Sequence, residues 1–112
     1  KIQIEMNIEE FKKQMNAALE KVSADGWTII ADSYGGYTNK QACPLSCLAI
    51  ANGLTPGKIV GRTVFEFLKQ TFPTLSTKEQ HSFINGFDFD GLNSGDPDYF
   101  QFGKELRARF IK

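Results

Sequence analysis

Helix-start signals recur along this sequence and constrain its fold more than any other feature. A side-chain oxygen of Asn, Asp or Ser can accept a hydrogen bond from a free N–H at the beginning of a helix, and proline suits the first helical position. Five places carry such residues, and they are Asn7, Cys43-Pro44, Thr55-Pro56, Ser76 and Asp96-Pro97. Two of them have a glutamate three residues later, as in a capping box: Glu10 follows Asn7, and Glu79 follows Ser76. The sequence therefore predicts about five helices.

The spacing of apolar residues after each signal gives the extent of each helix. Predicted helices cover 8–25, 44–51, 56–72, 77–87 and 97–110. The second is apolar on nearly every side, which is typical of a buried helix. Alternation in residues 1–6 and the β-prone run 27–31 predict a minor two-stranded β element, whereas 33–41 is expected to form a loop. We expect one compact α+β domain over 1–112, mainly α.

Charge and composition exclude several classes of protein. The 13 basic and 13 acidic side chains cancel, and no block of like charges forms a basic arm, so nucleic acid is an unlikely partner. No apolar run approaches the roughly 20 residues of a membrane-spanning helix. Disulfide scaffolds usually carry more than two cysteines, which favours a cytoplasmic location. The neutral sum conceals a basic middle, an acidic stretch over 79–98 and a basic final helix.

Cys43 is the candidate catalytic residue. A thiol at a helix N-terminus can have a lowered pKa because free N–H groups and the helix dipole stabilise the thiolate. Cys47 lies one turn further on and could act as a resolving thiol, and His81 could serve as a base. The alternative is that both cysteines are small buried apolar residues. Cys43 and Cys47 are spaced one residue further apart than the cysteines of a C-x-x-C redox motif, which favours this structural role.

No motif predicts a metal or a cofactor. Structural zinc needs four ligands, and the chain offers two cysteines and His81. The acidic stretch 88–98 has the composition of a calcium loop but not the spacing, because the fifth position counted from Asp88 is Leu92. The glycines of 33–41 match neither a P-loop nor a dinucleotide-binding loop.

Residues 45–68 allow an alternative function, DNA binding through a helix-turn-helix. The first helix would cover 45–52 and the recognition helix 56–68. Gly61 would lie inside the recognition helix, and few long polar side chains remain to reach base edges. The pattern therefore predicts DNA binding only as an alternative.

Two segments supply candidate binding residues. Exposed tyrosines beside glycines form adaptable contact surfaces, and the loop 33–41 carries both. Six of the ten phenylalanines lie between Phe83 and Phe110, around the acidic turn. This excess predicts that some of them are exposed to a partner. The predicted binding residues are Tyr34, Tyr37, Phe87, Phe89 and Asp90.

The Cys-Pro-Leu motif at 43–45 and the run from Phe83 to Gly91 carry a resemblance to a known group of proteins. The chain resembles small uncharacterised bacterial proteins that share a C-P-L helix start and a G-F-D-G-like turn before a C-terminal helix. The resemblance implies a compact, mainly helical bacterial domain and no particular activity.

From the residues we predict a small, soluble, non-enzymatic interaction or regulatory domain that binds an unknown protein or a second copy of itself. A thiol-dependent activity at Cys43 is the enzymatic alternative.

Overall fold

The computed structural model of the chain describes residues 6–31, 35–36, 40–58, 61–88 and 95–111. Within them the fold is mainly α with a minor β element, as predicted, and that element is a small three-stranded sheet. The helices are α1 (Ile8–Ala24), α2 (Pro44–Ala51), α3 (Gly61–Thr71), α4 (Thr77–Asp88) and α5 (Pro97–Phe110), with a 3₁₀ turn over Pro56–Lys58. The strands are β1 (Thr28–Ile29), β2 (Gly35–Gly36) and β3 (Gln41–Ala42).

Three of the five helix-start signals, at Asn7, Ser76 and Asp96, cap their helices as the sequence predicted. The Asn7 side chain accepts a hydrogen bond of 2.8 Å from the N–H of Glu10. At α4 the capping box is reciprocal: the Ser76 hydroxyl accepts from the N–H of Glu79 at 3.1 Å, and the Glu79 carboxylate accepts from the N–H of Ser76 at 2.9 Å. The Asp96 carboxylate accepts hydrogen bonds from the N–H groups of Asp98 and Tyr99 in the first turn of α5. Local hydrogen bonding therefore fixes where α1, α4 and α5 begin.

The sheet differs from the predicted two-stranded element. β3 is the central strand, parallel to β1 and antiparallel to β2. The loop prediction for 33–41 is wrong at Gly35, Gly36 and Gln41, which lie in strands. Glycines are rare in strands, but a Cβ at Gly35 would lie 2.6 Å from the Cα of Ala42, so the backbones approach too closely for any other residue. The strand predicted over 1–6 falls almost wholly outside the described residues.

The third helix begins later than predicted. The pattern from Pro56 onward forms a 3₁₀ turn, and α3 starts at Gly61. The predicted helix over 56–72 is therefore wrong in its first turn. The side chains of Val64 and Leu68 are the buried residues of α3 and pack in the core.

Aromatic rings join α1 to the α4–α5 pair. The Phe11 ring lies 5.0 Å from the ring of Tyr99, 5.1 Å from that of Phe83 and 5.9 Å from that of Phe102, measured between centroids. Phe11 is completely buried. Edge-to-face and tilted ring contacts at these distances add to the stabilisation from burial alone. Most of the phenylalanine excess therefore serves the core.

α4 and α5 run parallel to each other. Ser82 on α4 accepts a hydrogen bond of 2.8 Å from the N–H of Asp96, which precedes α5. Further along α4, the carbonyl of Phe87 accepts a 2.7 Å hydrogen bond from Arg107 near the end of α5. Residues later in α4 therefore contact residues later in α5, so the two helices point in the same direction. Helices joined by a short connection usually pack antiparallel, whereas α5 begins beside Ser82 of α4 and runs in the same direction as α4.

Two glycines allow this pair to pack with backbone against backbone. A Cβ at Gly86 would overlap the carbonyl oxygen of Phe100 and lie 3.2 Å from the N of Lys104. A Cβ at Gly103 would overlap the carbonyl oxygen of Phe83 and lie 2.8 Å from the N of Phe87. The obstructing atoms are backbone atoms, which cannot rotate away. Each helix therefore needs glycine where it crosses the other.

We expect Gly86→Ala and Gly103→Ala each to lower the free energy of unfolding by about 1–3 kcal/mol, because a methyl group would force the helices apart. Helix propensity alone predicts the opposite, since alanine is better than glycine in a helix interior by about 1 kcal/mol. Urea denaturation followed by far-UV circular dichroism measures the difference. Gly57→Ala is the control, because a Cβ at Gly57 meets nothing within 4 Å. Alanine variants at 86 and 103 as stable as the parent would contradict the close crossing.

Candidate functional site

The two thiols lie at the start of α2, in the core. Cys43 is the N-cap residue and Cys47 lies in the helix, with 1% and 0% of their surface exposed. The sulfur of Cys43 is 3.6 Å from the hydroxyl oxygen of Ser46, and the thiol of Cys47 is 3.9 Å from the carbonyl oxygen of Ala42. Both cysteines are free. This arrangement matches the structural alternative for the two residues.

Burial raises the pKa of the Cys43 thiol, against the prediction from its position. Loss of water around the sulfur is the largest effect and disfavours the thiolate. Hydrogen bonds from Ser46 and the backbone N–H of Leu45 act in the opposite direction, as expected at a helix N-terminus, but they are weaker. The negative charge of Asp88 raises the pKa further. Burial likewise raises the pKa of Cys47. The low-pKa thiol predicted at Cys43 is therefore wrong.

His81 lies away from the thiols on the exposed side of α4. Its ring contacts the Phe65 ring edge-to-face, with the centroids 5.1 Å apart. No hydrogen bond joins Cys43 to His81 in the described part of the chain, so the structure gives the thiol no base. Among these residues there is also no group of three or more His, Cys, Asp or Glu side chains that could hold a metal ion.

The predicted binding residues have different outcomes. Phe87 is completely buried, so its predicted role at an exposed surface is wrong: its position on the inner face of α4 places the ring in the core. Phe100, in the same phenylalanine-rich region, is 5% exposed. Tyr34, Tyr37, Phe89 and Asp90 lie outside the described residues, and their binding role stays a prediction.

The helix-turn-helix geometry predicted for 45–68 is not observed. After α2 the described residues 52–58 form a turn and a 3₁₀ segment, whereas that motif joins its helices by a turn of three or four residues. Arg62, which lies within the recognition helix predicted over 56–68, forms an exposed ion pair of 3.3 Å with Glu66. The bounds predicted for the recognition helix are therefore wrong, and DNA binding itself stays a prediction.

A half-exposed apolar surface lies where α3 packs beside α4. Phe65 and Ile84 are each partly buried against the core, and His81 lies between them: it contacts the Phe65 ring and precedes Ile84 by one helical turn. We call Phe65, His81 and Ile84 the α3–α4 face. The exposed Arg62–Glu66 pair lies on the same helix as Phe65. The sequence indicated His81 only as a possible base for Cys43 and did not predict a surface at these three residues.

In the described part of the chain, two buried polar side chains have no hydrogen-bond partner. They are Gln80, through both the nitrogen and the oxygen of its amide, and Tyr99, through its hydroxyl. Gln80 is 0% exposed and Tyr99 3%. Burial raises the pKa of Tyr99, and the charges of Glu79, Asp96 and Asp98 raise it further. One signal could have identified Gln80: it precedes Phe83 by three residues and so lies on the apolar side of its helix.

Comparison of the chain with protein-family models, with curated proteins and with solved structures gives no match. The resemblance to small bacterial C-P-L proteins therefore stays a prediction. None of the helices in the described ranges is both long enough and apolar enough to cross a membrane.

We expect Cys43 and Cys47 to react slowly with a thiol reagent near neutral pH in the native protein and rapidly after denaturation. A raised folded-state pKa means that these thiols ionise first in the unfolded chain. The stability that they contribute is thus present below their ordinary pKa of 9.0 and falls as the pH rises above it. Spectrophotometric thiol titration from pH 6 to 10 measures the rate.

The single variants Cys43→Ala and Cys47→Ala assign any reaction to one thiol. A fast native reaction at neutral pH that disappears in Cys43→Ala alone would contradict the buried, protonated thiol and restore the enzymatic alternative.

Proposed function

We propose that this protein is a non-enzymatic interaction domain that binds a protein partner through the α3–α4 face. The observation that carries the proposal is the position of Phe65 and Ile84. Both are anchored in the core on one side and reach the surface on the other, with the exposed His81 between them. Aromatic and aliphatic side chains held in this way are the common anchors of protein interfaces.

The surroundings of the face support a protein as the partner. Arg62 and Glu66 form an ion pair in which the side chains are 88% and 60% exposed. Such a pair adds little to the stability of the fold. Beside an apolar centre, however, it resembles the charged rim of an interface, which sets the orientation and specificity of binding.

The thiol-dependent alternative receives no comparable support. The sulfur of Cys43 is buried, its pKa is raised, and its side-chain hydrogen-bond contact in the described structure is with the Ser46 hydroxyl rather than with a base. The interaction function predicted from the sequence is therefore retained, with the α3–α4 face in place of Phe87 as the proposed contact surface.

Site-specific photocrosslinking tests this proposal. A benzophenone amino acid replaces His81, which is exposed, and in a control protein it replaces Lys13, which is exposed on α1. We expect a discrete crosslinked adduct in the source cells from position 81 and none from position 13. An adduct of twice the mass of the chain would identify a second copy as the partner, and any other discrete mass a different protein.

Ile84→Glu in the position-81 protein provides the specificity control. We expect the adduct to be lost, because a carboxylate would have to be buried in the interface without a partner. Urea denaturation must show that the Ile84→Glu protein remains folded. Equal adducts from positions 81 and 13, or an adduct that Ile84→Glu leaves unchanged, would contradict the proposal.

A further inference from the structure

Gln80 and Tyr99 both carry buried polar groups, and the charge of Glu79, which precedes Gln80, acts on the Tyr99 hydroxyl. Gln80 is in the first turn of α4, Tyr99 is in the first turn of α5, and the two helices are parallel. The hydrogen bond between Ser82 and Asp96 fixes the level at which α5 begins beside α4. Phe11 links the two positions, since its ring contacts both Tyr99 and Phe83, and Phe83 lies one turn beyond Gln80.

The two groups need complementary hydrogen-bonding partners. The Gln80 amide offers two N–H donors and one carbonyl acceptor, and the Tyr99 hydroxyl can donate and accept. A neighbouring buried polar group, Ser82, is fully used: its hydroxyl donates to the carbonyl of Lys78 at 2.8 Å and accepts from the N–H of Asp96. In the described structure the Ser82 side chain therefore has hydrogen-bond partners, whereas the side chains of Gln80 and Tyr99 have none.

We propose that Gln80 and Tyr99 form an internal binding site for an ordered water molecule that bridges the two helices. Water suits this site because one molecule can accept from the Gln80 amide N–H, donate to the Gln80 carbonyl oxygen, and still accept the Tyr99 O–H. Buried waters typically make about three hydrogen bonds of this kind to groups that lack protein partners. The bridge holds the first turns of α4 and α5 together on the side of the pair that faces α1.

A metal ion fits this site poorly. The Gln80 amide presents its nitrogen as well as its oxygen, and an amide N–H₂ cannot coordinate a cation. The nearby carboxylates also have other roles, because Glu79 and Asp96 accept hydrogen bonds from backbone N–H groups at their helix starts. A neutral ligand that both donates and accepts is the class that the two side chains define.

Nuclear magnetic resonance on the whole ¹⁵N-labelled chain detects such a water directly. We expect a ROESY cross-peak between the water line and the side-chain amide protons of Gln80, with the sign of a dipolar contact rather than of chemical exchange. Gln101 is the control, because its side chain is exposed on α5 and should show no long-lived contact. Absence of the Gln80 cross-peak would overturn the proposal regardless of any stability measurement.

A double-mutant cycle tests whether one water connects the two groups. We expect Gln80→Met and Tyr99→Phe each to raise the equilibrium constant of unfolding by about two- to tenfold, since each removes hydrogen bonds to the water. In the double variant the effect should be smaller than the product of the two single effects, because the same water is lost once. Independent, multiplicative effects would show that no shared water joins Gln80 to Tyr99. A lowered unfolding constant in both single variants would show that the two groups are simply unpaired.

Discussion

The close crossing of α4 and α5 is the constraint on which the remaining structure depends. At Gly86 and Gly103 the two helices touch through backbone atoms, and only hydrogen fits between them. Interfaces of small residues are a general way to bring helix axes close together, and they fix the axial level of one helix against the other because the fit is lost when either helix slides. The level is further held by two hydrogen bonds, at Ser82 and at Phe87. The rest of the core is built around this pair.

The parallel orientation of α4 and α5 has consequences at both ends of the helix pair. Each helix start is capped by its own side chain, Ser76 or Asp96, and α5 begins beside Ser82 of α4. At the other end, the guanidinium of Arg107 donates to the Phe87 carbonyl in the last turn of α4, where carbonyl groups lack helical partners and the dipole favours a cation. A residue of one helix thus completes the terminus of the other. This exchange is available only to parallel neighbours that are offset in this way.

The sequence predicted the features that are local in the chain. The capping box at Ser76 and Glu79 and the Asp96 cap are contacts within four residues, so the same residues that carry the signal make the hydrogen bond. The strand at Gly35 and Gly36 could not be predicted in this way, because its residues have no β-propensity of their own. It exists because β3 offers a backbone edge that only glycine can approach. The glycine crossing of the helices was missed for the same reason, since each glycine gains its meaning from a partner on another helix.

The candidate site shows the same division between local and tertiary effects. A cysteine at a helix N-terminus does receive hydrogen bonds that favour its thiolate, so the local argument for Cys43 describes a real effect. Its prediction was wrong because the helix is apolar on every side: the feature that predicted burial of α2 also predicts the loss of water around the sulfur, and that loss is the larger effect. Phe87 was assigned to the surface for a related reason, as aspartates beside it in the chain do not determine which side of the helix faces the core.

The free-energy cost of burying unpaired polar atoms explains why Gln80 in α4 and Tyr99 in α5 require hydrogen-bond partners. Each buried donor or acceptor that lacks a hydrogen bond costs about 1–3 kcal/mol, and Gln80 and Tyr99 together present three such atoms. The total stability of a single domain is only about 5–15 kcal/mol, so three unsatisfied atoms would consume a large fraction of it. The ring contacts of Phe11 with Phe83 and Tyr99 are worth about 0.5–1.5 kcal/mol each beyond burial and cannot offset that cost alone. The fold is therefore most stable if these three atoms are hydrogen-bonded.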